Sequence, residues 1–251
     1  MKLQTFVFVH DQKIVLDYDS NNKFSEIENL QYVFLGNRPV DKLKGRSDII
    51  VARDFDDNIE EHNSRFLAFS GWYLLWKNNL ITADFVNLFE YDIKLEDNFN
   101  QELDSNLTEE TTVVGYIPYQ LHYIWIWEPQ AIYLPLFNAM WKRHGINGAS
   151  FVNSQPKSSM CSMTSKHTFN KKTFDEYMKW MEPMIPDLQN EFYAGHHTER
   201  SIMLYYLMFA REGAIILKDV LHHFQLDTHA TQQMGEEKFN SNYENLIKNK
   251  K

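Results

Sequence analysis

The sequence predicts an α/β fold with a mixed, mostly parallel central sheet, and three observations carry that expectation. Short apolar runs rich in Val, Ile and Phe recur along the chain. They alternate with segments whose large residues repeat at helical spacing. One run, Ala83 to Leu95 (ADFVNLFEYDIKL), turns abruptly acidic at Glu90 and Asp92. Bounded by polar stretches on both sides, it reads as a buried strand whose carboxyl end carries two carboxylates. Residues spaced i, i+2 on an extended chain share a face, and in open α/β sheets ligands bind at the carboxyl ends of the strands.

The elements follow in order. Thr5 to Val9 is the first strand, and the leading run MKLQTFVFVHDQK is too short for a secretion signal. Tyr32 to Leu35 and Asp48 to Ala52 are the next strands. From about Asn63 to Lys77, Phe69, Trp72, Tyr73 and Trp76 recur at i, i+3, i+4, i+7 and predict an amphipathic helix with an aromatic core face. Phe85 to Phe89 leads to the acidic pair, and Thr112 to Ile117 and Ala214 to Leu217 are further strands. A helix opens at Thr173, where Thr173 and Glu176 have capping-box spacing, and stops at Pro183 and Pro186. Another runs from about Thr198 to Arg211, with Thr198 as N-cap and Gly213 as its stop. In the stretch His122 to Gln130, Trp125 and Trp127 alternate with Ile124 and Ile126, so an extended chain would put the tryptophans on one face, for core packing or for stacking on a ligand.

Composition excludes several classes. A net charge of -9 and a pI near 5.6 argue against binding nucleic acid through phosphate contacts. The single cysteine, Cys161, rules out an internal disulfide and fits a reducing, cytoplasmic setting. No segment reaches the ~20 uncharged residues that span a membrane, while contact with a membrane surface stays compatible. There is no phosphate-binding G-x-x-x-x-G-K-[ST] loop and no G-x-G-x-x-G fingerprint.

Oxygen ligands suit hard cations such as Mg2+ or Mn2+, and sites with one or two carboxylates complete the shell with substrate phosphates and water. Glu90 and Asp92 are candidates for that chemistry; the plain alternative is a solvated strand end.

The run Asn63 to Leu95, with its aromatic helix, strand and E-Y-D ending, resembles the metal-motif segment of GT-A-type nucleotide-sugar glycosyltransferases. Met160 to Asn190 and His196 to Met208 resemble the same group, which is known from bacterial capsule and lipopolysaccharide synthesis and from large DNA viruses. The resemblance implies a GT-A-like, Rossmann-type α/β/α sandwich over 1–251, with 1–100 as the nucleotide half, 101–233 as the acceptor half and 234–251 as a polar tail. It implies a nucleotide-sugar donor, read as UDP-linked, a glycan or glycoconjugate acceptor, and Mn2+ or Mg2+ held where the family carries D-x-D. Glu90 replaces the first aspartate here, which leaves Asp92 the safer ligand and Glu90 a ligand or a ribose contact.

By the same resemblance Glu199 stands where inverting members keep a general base, which must accept the acceptor hydroxyl's proton. Its alternative is a carboxylate that complements the helix dipole. His222 or His223 would join the metal, and Asp227 and His229 lie close by in sequence. Arg65 and Ser70 would reach uracil or phosphate. The strand-end rule itself places Phe8, Val9 and His10, and Gly36 and Asn37 after Leu35, around a nucleotide. Ser158, Ser159, Ser162 and Thr164 are candidate acceptor contacts. Two other functions are compatible with the same residues: a catalytically silent glycan-binding module, and a metal-assisted phosphoester hydrolase.

Overall fold

In a computed structural model, which describes residues 1–21, 24–59, 64–121, 125, 128 and 130–223, the apolar runs assemble into one seven-stranded sheet. In chain order the strands are β1 (Leu3–Val9), β2 (Leu30–Phe34), β3 (Ile49–Val51), β4 (Phe85–Glu90), β5 (Ile93–Leu95), β6 (Val113–Gly115), β7 (Tyr119–Gln120), β8 (Met160–Cys161), β9 (His167–Asn170), β10 (Ala214–Ile216) and β11 (Leu221–His223). The large sheet has the order β10-β6-β9-β4-β1-β2-β3. Pairing is parallel throughout except at β9, which runs antiparallel to both β4 and β6. β5 with β11 and β7 with β8 form two small antiparallel ribbons.

The helices are α1 (Gln12–Ser20), α2 (Ala68–Lys77), α3 (Phe99–Asn106), α4 (Gln130–His144), α5 (Gly148–Ser154), α6 (Lys171–Met181), α7 (Ile185–Leu188) and α8 (Ala194–Phe209). Alternate residues of the central strands serve two cores. Phe6, Phe8, Val86 and Leu88 meet α2, α4, α6 and α8, and Val7, Val9, Phe85 and Phe89 meet α1 and α3. A sheet covered on both faces favours strands that are apolar on both sides, which is why these runs do not alternate in polarity. Trp72 of α2 sets the packing on the first face, edge-on to Phe169, Phe174 and Tyr177. Burying each such side chain contributes about 1.5–3 kcal/mol.

β9 is the strand the apolar pattern does not reveal, because its four residues read His-Thr-Phe-Asn. Its polarity is satisfied inside the sheet. Asn87 Nδ2 donates to Thr5 Oγ1 at 3.0 Å, Thr168 donates to Asn87 Oδ1 at 2.5 Å, and Tyr116 bonds the Thr168 hydroxyl.

Several boundaries differ from the sequence expectation. α2 begins at Ala68; the stretch before it is a short 3-10 turn, Ser64–Phe66, followed by Leu67 at φ +54. α6 is capped by Asn170, whose side chain accepts from Lys172 N at 2.9 Å, not by Thr173. α8 starts at Ala194, so Thr198 is no cap: its hydroxyl donates to the Gly195 carbonyl at 2.7 Å. Glu199 therefore sits in the second turn, and the helix ends before Ala210, ahead of Gly213. Trp127, Asp227, His229 and the tail lie outside the described residues. Among the described residues no helix is long and apolar enough to cross a membrane.

Candidate active site

The antiparallel insertion of β9 builds the site. His167 stands opposite Leu88, so the residue just before β9 is delivered to the end of β4, where Glu90 and Asp92 lie. That residue is Lys166. Its side chain is only 1% exposed, and its ammonium is ion-paired with Glu90 and lies 3.4 Å from Asp92 Oδ1. The two carboxylates converge on one point, as their i, i+2 spacing predicts. Burial works against the Lys166 ammonium, but the attraction of Asp92 and Glu90 outweighs it and holds the lysine charged, its pKa above the ordinary value.

Glu199 faces the same cluster from α8. Its Oε1 accepts from Ser165 Oγ at 3.0 Å and its Oε2 from Arg200 Nη1 at 2.6 Å. Arg200, itself buried, also bonds Glu128 through Nε at 3.1 Å and through its Nη2. This fork holds α8 against the segment leading into α4 and aims Glu199. Glu199 lines a cleft of about 10 Å³ with Ser165, Thr198, Phe69 and Trp72, room for one water-sized group. Gly195 lets α8 approach Leu67, since a Cβ there would lie 2.8 Å from Leu67 Cδ1. Leu67 itself holds a positive φ that branched side chains rarely adopt, so backbone strain sits at the rim of this cleft.

A second group of polar residues gathers at the carboxyl ends of β1, β2 and β3. Asp11 caps α1 by accepting from Lys13 N at 2.9 Å and pairs with Arg38 at 2.8 Å. Arg53 donates to the carbonyls of Arg38 at 3.0 Å and Gly36 at 3.4 Å. Gly36 has φ +80, a conformation that a glycine adopts without a Cβ penalty. His10 packs edge-on against Tyr91, and burial, then Arg38, pull its imidazole pKa down to about 3. Tyr18 of α1 donates to the Tyr91 carbonyl and so ties this end of the sheet to the acidic pair.

Other expected residues lie elsewhere. Phe8 and Val9 are buried in the two cores, one on each face of the sheet. Asn37 is exposed beside Gly36. Ser70 is buried in α2 with its hydroxyl donating to Leu67 O at 2.6 Å, and Arg65 donates to Asn190 O at 3.1 Å. Ser159, Ser162 and Thr164 are buried and Ser158 is exposed; Ser165, not singled out from the sequence, is the hydroxyl that meets Glu199. Trp125 is half-buried against Tyr133 and Phe137 and donates to Asn153 at 3.2 Å, a packing role.

The expected divalent cation does not fit the residues present. His222 stands opposite Lys94 in the β5/β11 ribbon, half exposed, with its Nε2 3.4 Å from Glu96, while His223 is opposite Ile93. Among the described residues no group of three or more His, Cys, Asp or Glu is placed to hold a metal, so a cation here would rest on Glu90 and Asp92 with phosphate and water. The position between Glu90 and Asp92 is taken by Lys166, and stripping the partner from a buried ion pair costs about 3–5 kcal/mol. Sequence reasoning missed Lys166 altogether, along with Arg38 and Glu128. A lysine directly before a buried strand was its only mark in the sequence.

No family model matches the chain, and no curated protein matches its sequence. Solved structures do. The chain superposes on the WbbM bifunctional glycosyltransferase, apo form, with TM-score 0.63 at 13% identity, over 90% of this chain and 46% of that one. It thus spans about half the length of that protein. Weaker similarity is seen to the glucosyl-3-phosphoglycerate synthase of M. tuberculosis (TM-score 0.42, 12% identity, 98% of this chain and 78% of that one). Core-mannan synthase A of Aspergillus fumigatus in its Mn/GDP form gives TM-score 0.41 at 13% identity, over 89% and 75%. At such identities the likeness is one of fold: this chain has the GT-A, Rossmann-like α/β/α architecture, with a mixed, mostly parallel sheet.

Proposed function

We propose that the protein is a glycosyltransferase that moves a sugar from a nucleoside-diphosphate donor, UDP-linked, to a hydroxyl of a glycan. The observation that carries this reading is the convergence of Glu90, Asp92 and Lys166 at the carboxyl end of β4 with Glu199 facing them from α8. The donor is assigned to the carboxyl ends of β1, β2 and β4, where His10, Gly36, Arg38 and Arg53 gather. Glu199 acts as base. As the acceptor oxygen bonds the anomeric carbon, its proton passes to Glu199, the bond from that carbon to the diphosphate breaks, and its electron pair leaves on the phosphate oxygen. Attack from the face opposite the leaving group inverts the anomeric centre. A divalent cation, expected from E-x-D, competes with Lys166 for the same two carboxylates, and no step is assigned to it.

The test is product analysis with a panel of nucleotide sugars and glycan acceptors. Glu199→Gln is expected to lower turnover roughly 100-fold or more while donor affinity stays unchanged, since general-base catalysis contributes about 10²–10⁴-fold. A Glu199→Gln variant with full turnover removes the base. Glycan binding without affinity for any nucleotide sugar would establish the silent-module alternative, and phosphate release from simple esters the hydrolase.

A further inference from the structure

We propose that Lys166 stands in for a divalent cation: its ammonium, set between Glu90 and Asp92, compensates the acidic pair so that a donor diphosphate binds without a metal ion. The inference rests on the transferase reading for its diphosphate, but its first half concerns the two carboxylates alone.

The geometry points this way in three respects. Glu90 and Asp92 are the oxygen ligands that a hard cation would use, and both are directed at one nitrogen. That nitrogen is on a side chain 1% exposed, so it is built into the fold and is not a surface lysine that happens to lie near acid groups. Its position is fixed by pairing, because β9 is held on both sides by β4 and β6 and cannot slide without turning Phe169 and Thr168 to the wrong faces. A cation entering the pair would have to expel a buried ammonium that has nowhere to go without strand displacement. Further positive charge is available at the strand ends from Arg53, which spends its bonds on the carbonyls of Gly36 and Arg38 and not on a carboxylate. Lys166 is accordingly a positioning residue: buried beneath the carboxylates, it sets their charge and direction and does not itself touch the donor.

The experiment is a calorimetric titration of the full chain, first with Mn2+ alone and then with UDP, in the presence of Mn2+ or of chelator. The parent is expected to show no saturable Mn2+ binding, and a UDP affinity that chelation leaves unchanged. Lys166→Met, close in size and uncharged, is expected to gain saturable Mn2+ binding that a second change, Asp92→Asn, abolishes. In Lys166→Met UDP binding should become at least about tenfold stronger with Mn2+ than with chelator. Lys166→Arg keeps the charge and should behave as the parent, an outcome that a merely structural lysine would not produce. Saturable Mn2+ binding by the parent, with UDP affinity lost on chelation, overturns the inference and leaves the transferase reading standing. If UDP binds the parent under neither condition, the UDP-linked transferase reading falls, while the Mn2+ titration still decides what the acidic pair holds. Should Lys166→Met fail to fold, the parent and Lys166→Arg titrations remain decisive.

Discussion

At the scale of single residues, backbone conformation and charge impose different demands. Gly36 holds φ +80 with open space where a Cβ would stand. Gly36→Ala therefore isolates backbone strain from packing: it should cost about 1–2 kcal/mol, the penalty of a left-handed conformation for a residue with a Cβ. A lower urea midpoint with an unchanged slope would show it, and an unchanged midpoint would mean that the turn relaxes. Of the charged groups, Glu90 and Asp92 were legible because they end an apolar run at the close of a strand, whereas Glu199 was marked by a helix start that the structure moves back to Ala194 and by the family resemblance. Lys166 was not, since lysine is by default a surface residue and nothing local marks one that is buried. What buries it is the pairing of β9 with β4, a contact between segments 76 residues apart in the case of Lys166 and Glu90. Arg200 stood next to Glu199 in view, yet its partner Glu128 is 72 residues away and equally hidden from local reading.

Among the elements, helix existence was easier to read than helix limits. The aromatic stripe of α2 was visible at i, i+3, i+4, i+7, and its Trp72 packs on β9 and α6. What periodicity does not show is how closely α2 lies on the sheet. A Cβ at Gly71 would stand 2.5 Å from Cδ1 and Cε1 of the Phe8 ring, which is buried in β1 and cannot swing away. In an exposed helix Gly→Ala stabilises by nearly 1 kcal/mol. Here overpacking reverses the sign, and Gly71→Ala should destabilise by about 1–3 kcal/mol. Chemical denaturation measures this, and a gain in stability would show that α2 is free to lift from β1. The caps shifted for a related reason: Asn170 and the residues before Thr198 are positioned by the strand and the loop that precede them, so a capping-box match at Thr173 loses to an asparagine held at the end of β9. β9 itself was missed because its Thr168 is satisfied by Asn87 and Tyr116 across the sheet, and a strand whose polar groups find partners need not look apolar.

For the molecule as a whole, the parallel order β4-β1-β2-β3 follows from the alternation of apolar runs and helices, and the burial of both sheet faces sets how stability responds to pH. His10 in the α1 face and His167 in the centre of the sheet are both buried, and burial, their largest influence, depresses each imidazole pKa from 6.5 to about 3. In the unfolded chain both titrate near 6.5. Between about pH 6.5 and 3 the unfolded state thus binds more protons than the native one, so their contribution to stability is complete above that window and is lost as pH falls through it. Each histidine adds a slope of up to about 1.4 kcal/mol per pH unit. Stability measured by urea unfolding should be flat from about pH 8 to 7 and fall steeply from about 6 to 5, before most carboxylates protonate. His10→Gln should flatten that limb by about one histidine's share, whatever it costs in absolute stability, because glutamine takes up no proton. A limb with the same slope in the parent and in His10→Gln would mean that His10 is protonated in the folded protein and stands in water rather than against Tyr91.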